Sequence, residues 1–317
     1  MFTRGRGQLC YEGVKHLKDI MIDFRNLWGG FMKEDNLITN TLRMRYNVVI
    51  EEKNPDIIFV QNTGDGKAES CTFGSDCIVV HWFVESLNRT GTPDYDKCDF
   101  SFTSCKHDDE KNIRIPLWQM YVDWFDNPYV EGRNQAFLVS PKILTAERKP
   151  EKKNKFCCVL TNNDLGLRKV IYPRAFQYWK DRGFEIESRG NFLRTHPSIG
   201  GDELTKHNYI QDFKFNMCFD NSEYPGWITE KLIHPLVQGV VPIYWGCNDV
   251  GEDFNTKAFV HARDFENDIQ MYDKVIELAE NTELLAEVQS QPIFTGNKIP
   301  SHATPEHLLS EIERVIL

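Results

Sequence analysis

An acid and a base stand side by side in this chain, Glu230 and Lys231, immediately after Thr229. Thr229 can cap a helix that carries the pair in its first turn and continues through Leu232, Ile233, Leu236 and Val237. Upstream, Phe215, Met217 and Phe219 alternate as a strand does, and the strand ends in Asp220 and Asn221. Pro225 and Gly226 mark the loop between them, Gly239 closes the helix, and residues 240–244 form the next buried strand. A helix start just beyond a strand's carboxyl end is where open α/β sheets bind anionic ligands, so the chemistry on offer is phosphate recognition. Lys231 in a first turn opposes the helix dipole, a conflict that a phosphate would remove; a solvated lysine is the other reading that the spacing permits. Glu230 is equally a favourable acid at a helix start.

The elements that must position these residues repeat along the chain. Strand candidates occupy residues 19–24, 48–51, 56–60, 77–81 and 100–103, with helical or turn segments between them, notably 35–45. Residues 113–117 are a further extended run, the aromatic stretch 118–125 suits a short helix, and 127–148 suits a cover over one edge. Short apolar strands alternating with helices predict a parallel sheet covered on both faces. The charge run 147–155 then reads as a solvated connector and a linker. Beyond it the pattern restarts, with a strand at 156–160, a helix at about 166–182, a strand at 184–187 and the unit described above. Residues 266–288 read as one amphipathic helix. The expected fold is α/β with two Rossmann-like domains, 1–150 and 151–300, and a helix at 301–317 packing back on the first.

Composition narrows the function. A chain of 317 residues can build two cores, and 41% hydrophobic with 26% charged residues is ordinary for a soluble globular protein. The formal net charge of −10 disfavours a general nucleic-acid binder but leaves room for a local basic pocket. Nine cysteines, with no CxxC spacing, argue against zinc and fit a reducing compartment. The pair Asp94 and Asp96 has the spacing of a metal-binding carboxylate motif, yet it lies in a Gly/Pro-rich segment and reads as a turn. No run approaches the roughly 18 apolar residues of a membrane span, and no signal-like segment follows Met1, so a soluble, cytoplasmic protein is expected. Oligomeric state is not legible.

The run from Lys214 to Gly246, continuing through Asp253 to Phe265, resembles the donor-binding motif of the α-1,3-fucosyltransferases of glycosyltransferase family 10, the bacterial members in particular. That resemblance implies the GT-B architecture, with acceptor on the first domain, GDP-fucose on the second and chemistry in the cleft. It assigns Lys231 and Arg194 to the diphosphate, Glu230 to the ribose or donor sugar, and Asn221 and Trp227 to the nucleotide pocket. The family often has Glu at Asp220 and Tyr at Trp227, so stacking survives at Trp227 without a phenolic hydroxyl. Arg168 resembles a further family arginine on the donor side. Glu85, in His81-Trp-Phe-Val-Glu85, resembles the catalytic base, with His81 as its rival. The implied reaction is inverting transfer of fucose to a hydroxyl, commonly the 3-OH of N-acetylglucosamine or glucose in an oligosaccharide, with no cofactor and no obligatory metal. Use of another GDP-sugar, or binding without catalysis on this fold, are the alternatives.

Overall fold

The computed structural model describes residues 18–68, 76–126, 138–200 and 203–317. In the first half, strands β1 (Asp19–Arg25), β2 (Asn47–Ile50), β3 (Ile57–Gln61), β4 (Ile78–Phe83), β5 (Phe100–Thr103) and β6 (Asn112–Arg114) form a six-stranded sheet in the order β2-β1-β3-β4-β5-β6. Helices α1 (Leu37–Arg43) and α2 (Leu87–Thr90) lie between its strands, and α3 (Pro141–Leu144) follows it. The second sheet has five strands, β7 (Lys155–Val159), β8 (Ile186–Ser188), β9 (Phe213–Met217), β10 (Val241–Tyr244) and β11 (Val260–His261), ordered β11-β10-β9-β7-β8. Its helices are α4 (Arg168–Lys180), α5 (Glu203–Ile210), α6 (Glu230–Val237), α7 (Asp268–Glu280) and α8 (Thr282–Ser290), and α9 (Pro305–Val315) ends the chain. Every ladder within the two sheets is parallel. Strands covered on both faces need continuous apolar runs, and β3 and β10 are buried at every position.

The amphipathic α9 puts Leu308, Leu309 and Ile312 into the same core as Ile22, Phe59, Trp82 and Phe102 of the first sheet. Each such side chain contributes about 1.5–3 kcal/mol on burial. Glu313 adds contacts to Arg45 (2.7 Å) and to the Tyr46 hydroxyl (2.8 Å). Trp118, Val122, Val139 and Leu144 share a core with Ile228, Leu232 and Leu236, so this part of the first half packs on α6.

Three expectations need correction. Residues 266–288 are two helices, because Asn281 turns to extended backbone and its side chain accepts from Glu283 N and Leu284 N, capping a new start. The extended run at 113–117 is a strand only to Arg114; Leu117–Tyr121 is a turn of 3₁₀-helix. The charge run 147–155 is not uniformly solvated. Arg148 donates to Leu236 O (3.0 Å) and the buried Lys153 to Gln238 O (2.9 Å), so two cations meet the negative end of α6. Of the expected edge cover at 127–148, residues 127–137 lie outside the described residues, as do Cys10 and Cys71. The other seven cysteines are free. No helix among the described residues is long and apolar enough to cross a membrane.

Candidate active site

Beyond Met217 the β9 chain stays bonded to its neighbour, with Cys218 N donating to Ile243 O (3.0 Å) and Asp220 N to Trp245 O (2.8 Å). It then leaves the sheet and crosses to the first half. Lys106 N donates to Pro225 O (2.8 Å) and Arg114 to Gly226 O (2.8 Å). Gly226 is at φ +75, and a Cβ there would meet Lys106 N and Arg114 Nε at 2.8 Å, so only glycine fits this crossing. Arg114, Trp118 and His302 all converge on Asp253, which is fully buried. Burial alone would raise that carboxyl, but His302 and Arg114 hold it at about 2. Trp227 is thereby seated among Phe83, Leu87 and Cys105 of the first half.

The helix start that follows is built on a buried acid. Thr229 caps α6 by accepting from Lys231 N (3.3 Å), while its hydroxyl donates to Asp220 Oδ1 (2.6 Å). Asp220 Oδ2 accepts from the Tyr244 hydroxyl (2.9 Å), which in turn accepts from Cys247 N (3.1 Å). Burial pushes the Asp220 carboxyl up to about 6, against the pull of Lys231 and of its two hydroxyl donors. Lys231 Nζ lies 2.8 Å from Glu230 Oε1 and 3.4 Å from Thr229 Oγ1. Burial pulls the Lys231 ammonium down, but Glu230 and Asp220 outweigh it and raise it above its ordinary value. Burial likewise opposes ionisation of Glu230, and Lys231 overrides it, leaving that carboxyl at about 2.

A cavity of about 490 Å³ opens over this pair. The second half supplies Asn221, Trp227, Thr229, Glu230 and Lys231; the first supplies Glu85 and an aromatic wall that includes Trp28, Phe31, Tyr121 and Trp124. Glu85 lies just past the carboxyl end of β4, with its side chain 40% exposed and its carboxylate 3.0 Å from Arg89 of α2. His81 is buried within β4 and its ring lies 3.3 Å from the Asn62 amide; it does not line the cavity. Two buried polar atoms of lining residues, Asn221 Oδ1 and Trp227 Nε1, have no protein partner, which is unusual for buried polar groups and suits a ligand contact. The charge of Glu230 and burial push the Tyr121 phenol well above its ordinary range.

The structure therefore brings together Glu85, Asn221, Trp227, Glu230 and Lys231, and leaves two expected donor residues outside this cavity. Arg168 is buried at the start of α4 and donates to Phe219 O (3.0 and 2.6 Å) and Asn163 Oδ1 (2.6 Å). It braces the chain just before Asp220 and Asn221. Arg194 is exposed on the loop after β8, where it contacts Gly190 O (3.0 Å) and Asn191 Oδ1. Asp94 accepts from Asp96 N (3.2 Å) and pairs with Lys97 (3.2 Å), as the turn reading expects. Among the described residues no group of three or more His, Cys, Asp or Glu could hold a metal. The aromatic wall and the Tyr244–Asp220 bond were not foreseen. The one sequence signal for the wall is Trp28 and Phe31 flanking two glycines beyond a strand.

Comparison with known proteins finds matches to both halves of the chain. The model "Glycosyltransferase family 10 (fucosyltransferase) C-term" matches residues 149–288, and that of the alpha-(1,3)-fucosyltransferase FucT N-terminal domain matches residues 22–121. Alpha-(1,3)-fucosyltransferase FucT of Helicobacter pylori is 30% identical over 125 residues, 39% of this chain and 24% of that protein. Putative fucosyltransferase R654 of Acanthamoeba polyphaga mimivirus is 29% identical over 227 residues, 65% of this chain and 36% of that protein. The chain thus spans well under half the length of these curated relatives. A crystal structure of an alpha1,3-fucosyltransferase with GDP-fucose superposes with a TM-score of 0.70 at 19% identity, covering 98% of this chain and 93% of that one, which establishes a shared fold.

Proposed function

Because the chain belongs to glycosyltransferase family 10, the fucosyltransferases, we propose that it transfers fucose from GDP-fucose to a saccharide hydroxyl with inversion at the anomeric carbon. The observation that carries this reading is a single cavity holding Glu85 from one half together with Glu230 and Lys231 from the other. Inverting transfer needs a base on the acceptor side and a positive field on the leaving-group side.

In the proposed reaction Glu85 takes the proton of the acceptor hydroxyl, the 3-OH of an N-acetylglucosamine or glucose unit. The oxygen forms its bond to the anomeric carbon on the face opposite the diphosphate, and the breaking carbon–oxygen bond leaves its electron pair on GDP. Lys231 and the amides that open α6 receive the diphosphate. Glu230 accepts from ribose or fucose hydroxyls, and Asn221 and Trp227 supply their unpartnered polar atoms to the nucleotide side. Arg168 acts by holding the Phe219 carbonyl. Arg194 stands on a loop beside the carboxyl edge of the same sheet and reaches the diphosphate by exchanging its contacts with Gly190 and Asn191.

Incubation with GDP-fucose and a panel of neutral saccharides tests the reading. Both GDP release and a new glycoside are expected; absence of both across the panel defeats it.

A further inference from the structure

We propose that the first-half wall of the cavity is a subsite for an uncharged pyranose acceptor, with the exposed indole of Trp28 as its stacking platform. The inference rests on the transferase reading above. Trp28 lies between β1 and α1, and it is 40% exposed although two aromatic neighbours hold it. Phe31 meets it edge-on at 5.0 Å and 84°, and Trp82 lies 6.2 Å away. An aromatic surface held in place by packing loses little freedom when a ligand covers it.

The support is also a ruler. Trp82 belongs to β4, whose carboxyl end carries Glu85, so one strand fixes both the platform's backing and the base. A pyranose ring on Trp28 is thus held at a set distance from the carboxylate that would deprotonate it. Its rim hydroxyls find Asp35 and Asn40 on the same wall, themselves joined by a 2.9 Å hydrogen bond. An apolar C–H face with hydroxyls at its edge is the chemistry of a sugar ring, and an indole beside a carboxylate and an amide is its complement.

Charge decides which sugars. The ionisable first-half residues described around the cavity include the acids Asp35, Glu85 and Asp123 and no Lys, Arg or His. A carboxylated or sulfated acceptor would find no cation among the described first-half residues lining this wall to receive it, and Arg89 beside it is engaged by Glu85. The wall therefore selects neutral saccharides.

The test pairs kinetics with binding. Trp28→Ala should raise the acceptor KM on the order of tenfold while GDP affinity stays at the wild-type value, and Trp28→Phe should recover most of the loss. A neutral saccharide should have a lower KM than its sialylated or sulfated counterpart in the wild type. An unchanged KM in Trp28→Ala, or equal use of the anionic counterpart, overturns the subsite and leaves the transferase reading standing. Saturation-transfer NMR on the GDP-loaded protein separates the opposite case. Contacts from a neutral saccharide that vanish in Trp28→Ala support the subsite even if no donor is turned over. No contact from any saccharide in the wild type overturns it.

Discussion

Replacing Asp220 by Asn should make the protein more stable at alkaline pH and less stable at acid pH. The carboxyl is fully buried and accepts from Thr229 and Tyr244, yet burial still moves it from 3.8 to about 6. The folded value lies above the unfolded one, so protonation favours the fold. Its stabilising contribution is complete below about 3.8 and is lost as pH rises through about 6. That displacement amounts to on the order of 3 kcal/mol, at 1.36 kcal/mol for each pH unit. Asn keeps the acceptor for Thr229 but turns an amide toward the Tyr244 hydroxyl, which already accepts from Cys247 N. Losing that bond costs about 1 kcal/mol at any pH. The variant should therefore be less stable than wild type by under about 1 kcal/mol near pH 4 and about 2 kcal/mol more stable near pH 8. Urea unfolding of both proteins by tryptophan fluorescence at those two conditions measures the difference. A difference that does not move with pH refutes the assignment of the shift to Asp220. Turnover should fall in the same variant even where it is the more stable protein, because the buried charge supports Lys231.

Three further substitutions probe the donor and base assignments. Lys231→Ala should weaken GDP binding about 10- to 150-fold by calorimetry, the range of a lost charge-assisted hydrogen bond, and lower turnover with it. Glu85→Gln should cut turnover on the order of 100-fold or more with GDP affinity hardly changed; near-normal turnover there, with a folded but inactive His81→Ala, would move the base to His81. Arg194→Ala should weaken GDP binding without loss of thermal stability, since its present partners are both on its own loop; unchanged affinity removes it from the donor site.

Much of this was legible because it is local. Thr229, Glu230 and Gly239 announce the ends of α6 by cap and breaker chemistry, and the strand alternation before Asp220 needs no distant partner. What escaped depends on residues far apart in the chain. The break at Asn281 is silent because Val275 and Leu278 before it and Leu285 after it keep one apolar period. Arg148 and Lys153 belong to a run whose composition says solvent, and only the C-terminal carbonyls of α6 reveal why two of its cations are held. The wall of Trp28, Tyr121 and Trp124 is assembled from segments far apart in the chain, and neither segment alone shows that the two face one cavity. Arg168 resembles a donor-side arginine in sequence, and only the fold shows the Phe219 carbonyl that its guanidinium holds.

Lys231 shows how a reading can rest on an incomplete reason. A cation at the positive end of a helix is a conflict, and a phosphate resolves it. The fold offers another resolution, since Glu230 and the buried Asp220 surround the ammonium with negative charge before any ligand arrives. The conflict alone therefore does not demand a phosphate. In the proposed reaction, its link to the donor rests on its place in the cavity with Glu85. The same electrostatics carries a consequence for the diphosphate. With Glu230 ionised and Asp220 largely so at neutral pH, the three side chains together bring no excess positive charge. A leaving group of two or more negative charges then needs the α6 amides and a second cation. We propose Arg194 for that role, because it is exposed and its contacts are to its own loop, whereas Arg168 has already committed its guanidinium to the fold.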